Sequence, residues 1–525
     1  MPTTAHLTLS KIALLAATFA LTPAWAREPS TPIPASAVDE TAQRALQTFG
    51  VPGMAVGIVK DGHLVYAKGF GVRELGKNSP VTPDTLFQIG SNTKAFTAAA
   101  LSILVDEGRI HWDDKVIDYL PQFRMYDPYV TREFTIRDLL SHRSGLGKGA
   151  GDLMFYPATD FTRADIIRGL RYLKPTSSFR AQFDYDNTLY MVAGEIIPAV
   201  TGQSWEDFVE QRIMQPLQMN GCVATFDHVK DRGQFAEPHN VIDGKLRQIP
   251  VERIPVIGPA GAINCNVNGL AKWLETQLGA GQAPGGPRLF SAERGAEMWS
   301  VNTAVPVGPE VRELLHAQFQ GYGLGWELAD DSGYKLVFHT GLVPGTSSWI
   351  TMVPELHLGI IVLTNVTDYS AMAAVASQIL DAYVGAPKRD MVGLLGAMRD
   401  GNAGAADAAE TAVAKAVAAA TPPTLPLDAY VGRYTDAWRG DATVRQEGDH
   451  LVLKFSHTDK LEGALQPYLG NMFVVRWNDH SLHADAFVRF SQSFDGGIDG
   501  ITLRAISPAT DFSFDFQDLD FVRAR

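Results

Sequence analysis

Cysteine is almost missing from this chain: Cys222 and Cys265 are the only two in 525 residues, which excludes a small fold stapled by several disulfides. One pair is the most the chain can form, and the sequence leaves bonded and free equally open. No run rich in lysine and arginine occurs, and the formal charge is −13, which argues against a nucleic-acid partner. After residue 26 no apolar stretch approaches the roughly 18 residues needed to cross a bilayer, so no membrane span is expected. The 13 histidines form no His-Glu-x-x-His helix and share no cluster with the cysteines, so neither a metal nor another cofactor is expected.

Apolar residues make up 46% of the chain, ample for large cores. Residues 1–26 have the form of a secretory signal: Lys11 precedes the apolar run IALLAATFAL, and Ala24-Trp25-Ala26 supplies a small-x-small cleavage pattern. The mature protein is expected to start at Arg27 and to be periplasmic or secreted. Residues 27–385 read as one catalytic-sized domain, 386–425 as an Ala/Pro-rich linker that is partly helical at best, and 426–525 as a small all-β unit of short alternating runs. Phe512, Phe514 and Phe516 belong to those runs.

One stretch organises the first domain, FQIGSNTKAFTAAALSILVDEG at residues 87 to 108. Its apolar residues fall on every side, the pattern of a helix buried all round. Ser91 and Lys94, three apart, emerge together at its first turn. A lysine in an apolar setting is disfavoured as an ammonium, so its pKa should fall until it can take the serine proton. The helix N-terminus adds free N–H groups where an oxyanion would form. Ser-x-x-Lys alone is weak, since typical Ser and Lys usage yields about two matches by chance in such a chain. A second match, Ser332 with Lys335, reads as a turn entering a strand.

Before this helix, VPGMAVGIVKDGHLVYAKGFGVREL reads as a hairpin turning at Lys60-Asp61-Gly62, which points to a helix-backed antiparallel sheet. FTIRDLLSHRSGL reads as a packed helix ending in a turn, and His142 is given no catalytic role. Tyr185-Asp186-Asn187 sits just before another apolar helix. A phenol beside a lysine ammonium has its anion favoured, so Tyr185 is a candidate acid or base and Asn187 a candidate partner of Lys94 or of a substrate carbonyl. GPAGAINCNVNGL reads as a Gly-rich loop near the site rim. His339-Thr340-Gly341 ends a strand along which a substrate backbone can pair.

Three motifs in this order, Ser91-Asn-Thr-Lys94, Tyr185-Asp-Asn187 and His339-Thr-Gly341, resemble the signature of the serine hydrolases that include class C β-lactamases and DD-peptidases. TIRDLLSHRSGL is similar to the family's Leu-Leu-x-His-Thr-Ser-Gly-Leu element, with Arg143 where Thr is usual, and YGLGW and HTGLVPG also look like it. The resemblance runs over roughly residues 38 to 385. The β-unit that follows is similar to the lipocalin-like domain of some bacterial members.

The resemblance implies an α/β fold, an antiparallel sheet flanked by helices with the site between the sheet and an all-helical region, followed by a small all-β barrel. It implies that Ser91 attacks a carbonyl while Lys94 and Tyr185 shuttle the proton, that Asn187, His339, Thr340, Gly341 and Leu342 bind substrate, and that the N–H groups of Ser91 and Leu342 hold the oxyanion. His339 stands where class C β-lactamases carry lysine; when protonated it would receive a substrate carboxylate. The reading is an exported serine hydrolase that cleaves D-amino-acid peptide, amide or ester substrates through an acyl-serine on Ser91. A β-lactamase in the narrow sense and a weakly catalytic penicillin-binding or sensing module are the alternatives.

Overall fold

The computed structural model describes residues 33–309, 311–312 and 316–524; the expected signal, residues 1–26, lies outside the described residues. Strands β1 (Gly53–Lys60) and β2 (His63–Gly71) form a hairpin. Asp61 and Gly62 between them have φ of 52° and 79°, the backbone of a two-residue turn whose twist matches its strands.

The hairpin opens an eight-stranded antiparallel sheet. Its other strands are β3 (Thr303–Val305), β4 (Gln320–Tyr322), β5 (Glu327–Asp331), β6 (Tyr334–Val343), β7 (Thr346–Val353) and β8 (Leu358–Thr364), in the order β2-β1-β8-β7-β6-β5-β4-β3. Both faces of its middle are covered, so central strands run apolar residue after apolar residue instead of alternating. Ile360 and Val362 pack with Met54 and Val56 in the core that also holds residues of α1 (Ala35–Phe49). Ile361 and Leu363 belong to the opposite core, which takes in α2 (Thr93–Asp106), α3 (Asn187–Thr201) and α4 (Val267–Leu278). Every residue of α2 from Thr93 to Leu104 is buried, the enclosed helix that its composition calls for.

After β8 the chain forms α5 (Tyr369–Val384) and then reaches a closed barrel of eight antiparallel strands, from Gly432 to Arg523, which leaves no open edge. Buried barrel residues such as Phe455, Trp477 and Phe490 form one continuous apolar cluster with α2 and α3. No helix among the described residues is long and apolar enough to cross a membrane.

Three features differ from the sequence reading or resolve it. The linker region is largely one helix of 28 residues, α6 (Met391–Ala418). Its alanines, the best helix formers, outweigh four interior glycines that each cost about 1 kcal/mol. Asp390 caps it, Met391 and Leu395 are buried at its start, and Glu410 pairs with Arg476 of the barrel at 2.7 Å. Residues 511–518 are a loop and a short 3-10 turn instead of a strand, because the buried Asp515 carboxylate is taken up by backbone N–H groups outside the barrel. Cys222 and Cys265 are bonded, tying Cys265 beside α4 to the segment before it.

Candidate active site

Ser91 lies in a single 3-10 turn, Gly90–Asn92, that runs directly into α2. This turn is pinned to the sheet: Asn92 Nδ2 donates to Ser348 Oγ at 2.8 Å, and Ser348 Oγ donates to the Ile89 carbonyl at 2.7 Å. The approach is close enough to require glycine on both sides. A Cβ on Gly341 would lie 1.9 Å from the Ile89 oxygen, and one on Gly90, where φ is 52°, would lie 2.8 Å from Leu342 N. The backbones of Ser91 and Leu342 are thereby neighbours. Pairing between β5 and β6 stops at Phe338↔Glu327, so residues 339–343 have no strand partner on that edge among the described residues, while β7 pairs with them on the other.

Lys94 is fully buried, and its Nζ donates to Ser91 Oγ at 2.9 Å, Asn187 Oδ1 at 2.7 Å and the Ala260 carbonyl at 3.1 Å. Ala260 belongs to the Gly-rich loop expected at the rim; it lies instead against the lysine. Burial pulls the lysine pKa down to about 7, opposed by the nearby Asp152. An amine at that value is poised to take a serine proton near neutrality.

Tyr185 is held by its backbone carbonyl, which accepts from Gly149 N at 2.8 Å, and Lys94 Nζ stands 4.7 Å from the centre of its ring. Here the sequence expectation is reversed. Burial drives the phenol pKa well above its usual value, and a hydrogen bond with Ser91 offsets this only in part, so the resting phenol keeps its proton. The His142 ring lies 4.3 Å from that of Tyr185; its Nδ1 accepts from Asp186 N, and burial holds it neutral.

His339 is also corrected. Its Nδ1 lies 2.6 Å from the Thr340 carbonyl, which can only accept, so this nitrogen carries the hydrogen. Nε2 then accepts from the Tyr322 hydroxyl at 3.1 Å. With both nitrogens engaged, and with burial and Lys94 lowering the pKa to about 3, the ring is a neutral wall and cannot supply the charge expected of it. The Thr340 carbonyl is occupied by this ring, Gly341 serves close approach, and the Leu342 side chain is 40% exposed while its backbone nitrogen lies beside Gly90.

Five further residues complete the site. Asn187 Nδ2 donates to Asp152 Oδ2 at 2.8 Å, and Ser513 Oγ, from the barrel, donates to the same oxygen at 2.8 Å. Asp515 accepts from Gly151 N at 2.6 Å and Leu153 N at 3.0 Å. Phe512 sets its ring edge-on to Tyr185, centroids 5.8 Å apart. Glu327, whose charge bears on Tyr185 and Tyr322, has its pKa raised to about 7 by burial, with Lys148 opposing. Glu327 follows YGLGW, a usable signal; nothing local marks Asp152, Ser513 or Asp515.

Comparison with known proteins places this geometry in context. A family model described as Beta-lactamase matches residues 38–384, and one described as a domain of unknown function, DUF3471, matches residues 416–523. The unguisins hydrolase ungD' of Aspergillus campestris is 29% identical over 75% of this chain and 74% of its own length. Penicillin-binding protein 4 of Amycolatopsis lactamdurans is 30% identical over 60% of this chain and 81% of its own. Among solved structures, the octameric penicillin-binding protein homologue from Pyrococcus abyssi has the same fold, with a TM-score of 0.61 at 23% identity over 94% of this chain and 100% of that one.

Proposed function

This chain belongs to the beta-lactamase family of serine hydrolases, and from that premise we propose that it cleaves amide or ester bonds of small acyl donors through an acyl-serine on Ser91. The observation that carries the reading is Lys94 Nζ, dry and with its pKa near 7, within 2.9 Å of Ser91 Oγ. Ser91 Oγ attacks the carbonyl carbon and its proton passes to the neutral Lys94 amine. The N–H groups of Ser91 and Leu342 receive the oxyanion. Tyr185, protonated at rest, gives its proton to the departing amine or alcohol and regains one from Lys94. Water then attacks the acyl-serine and surrenders a proton along the same path, which returns Ser91 to its starting state.

The neutral His339 wall shapes substrate preference. With His339 uncharged on the open edge of β6, the site favours acyl donors held by backbone pairing over those that rely on a carboxylate contact with this ring. Peptides, amides and esters of D-amino acids fit that description. β-Lactam hydrolysis is a second reading, favoured by the match of residues 38–384 to the family model described as Beta-lactamase. The signal-like pattern of residues 1–26 supports export as part of this proposal. A panel of D-aminoacyl amides, D-Ala-D-Ala peptides, p-nitrophenyl esters and nitrocefin tests the reading: turnover of esters and amides above that of nitrocefin supports it, and faster nitrocefin turnover favours the second.

A further inference from the structure

The barrel meets the N-terminal body at the turn of residues 149–153, which also serves the site. Gly149 N holds the Tyr185 carbonyl at 2.8 Å, and the Asp152 side chain at the other end holds the Asn187 amide. From the barrel side, Asp515 takes the N–H groups of Gly151 and Leu153, the two residues that flank Asp152. The fit is tight. A Cβ on Gly149, where φ is 76°, would lie 2.7 Å from both Cδ2 and the carbonyl oxygen of Phe512.

The Asn187 amide has two orientations, and only one serves Lys94. An ammonium has only hydrogens to give, so the amide oxygen must face Lys94, and the NH2 group must find an acceptor behind it. That acceptor is Asp152 Oδ2, whose second donor is the Ser513 hydroxyl 361 positions away in sequence. Asp152 and Asp515 are 0% exposed and Asn187 is 6% exposed, so water cannot replace a lost donor at low cost.

Resting on the acyl-serine reading, we propose that the C-terminal barrel is part of the catalytic apparatus: Ser513 and Asp515 are positioning residues that hold Asp152 and so turn the Asn187 oxygen toward Lys94. The region matched as a domain of unknown function thereby acquires a role in this chain. The groups that face Lys94 are Asp152, the rings of Tyr185 and Tyr190, and His142 and His339. Burial holds both histidines neutral and pushes the Asp152 carboxyl well above the usual carboxylate range; the Asn187 and Ser513 donors oppose that push and so favour a charged Asp152 beside the lysine, while Asp186 and Asp515 work against it.

The test uses the full chain and the pre-steady-state burst of p-nitrophenol from an ester, measured across pH in wild type, Ser513→Ala and Ser513→Thr. Loss of the Ser513 donor leaves Asp152 easier to protonate, and less negative charge beside Lys94 lets the lysine lose its proton at lower pH. In Ser513→Ala the burst rate should fall about tenfold, the acid limb should move to lower pH, and Tm should change by no more than about 2 °C. Ser513→Thr, which keeps the hydroxyl, should restore both rate and limb. A Ser513→Ala burst with wild-type rate and limb overturns the inference. So does a slower burst whose limb has not moved and which Thr does not rescue, since that marks a general loss of structure. Should Ser513→Ala not fold, Ser513→Cys, which fills the same space but donates weakly, is read by the same criteria. Ester turnover that persists in Ser91→Ala sinks the acyl-serine reading and this inference with it, whereas a burst indifferent to Ser513→Ala sinks this inference alone.

Discussion

Lys460 of the barrel reaches Glu252 of the N-terminal body at 2.7 Å, and the carboxylate it meets is almost wholly enclosed. Together with the Asp515 contacts this makes the barrel a docked element, not a pendant one. The exposed weak point is the middle of α6, where residues 401–405 lie open to solvent.

Limited proteolysis with subtilisin is therefore expected to nick α6 without separating the parts. The two fragments should co-elute in gel filtration and keep ester hydrolysis. Fragments that elute apart, with the N-terminal one still fully active, would contradict the docking.

The neutral His339 has a pH consequence. With its pKa at about 3, the ring carries no charge at pH 5 to 8, so the KM values of anionic and neutral substrates should vary with pH in parallel. His339→Lys places a cation there and should lower KM for carboxylate-bearing substrates by about tenfold, while leaving neutral esters little changed. A wild-type KM that rises from pH 6 to 8 for anions alone, with the rise abolished in His339→Gln, would show that His339 titrates in that window, since the Lys94 titration is common to both proteins.

Lys94 sets a limb of opposite origin. Below about pH 7 the ammonium has no lone pair to take the Ser91 proton, and above it the amine does, so kcat/KM should rise with pH through about 7 and then level. Lys94→Arg stays charged across this range and should lose a factor on the order of 10² to 10⁴.

The Cys222–Cys265 bond closes a loop with a sequence separation of 43, for which chain entropy gives about 4 kcal/mol. Replacing both cysteines by serine should lower the urea midpoint accordingly. The bond also dictates its neighbour: a Cβ on Gly269 would lie 2.2 Å from Cys222 Sγ, so Gly269→Ala should destabilise the oxidised protein more than the double-serine variant.

How far the site could be read in the sequence depended on distance along the chain. Ser91 and Lys94 were legible because their spacing and the apolar run behind them are local properties of one helix. Asn187 was legible as a partner of Lys94 from its place before a second buried helix, and the two do meet at 2.7 Å. The charge states of Tyr185 and His339 were not legible: burial, Tyr322 and the Thr340 carbonyl decide them, and only the fold supplies those. Ser513 escaped for the same reason, its partner being 361 residues away. The α6 segment misled through composition, because alanine suits a helix as well as a linker, and the deciding anchors, Asp390 and the buried Met391 and Leu395, are few.

The central claim is an acyl-enzyme on Ser91, and intact-protein mass spectrometry after rapid quench with a p-nitrophenyl ester tests it most directly. A single mass increment equal to the acyl group is expected, mapped to the peptide that carries Ser91, absent in Ser91→Ala and slow to form in Lys94→Arg. An increment that persists in Ser91→Ala, or ester turnover that does not depend on Ser91, would contradict it.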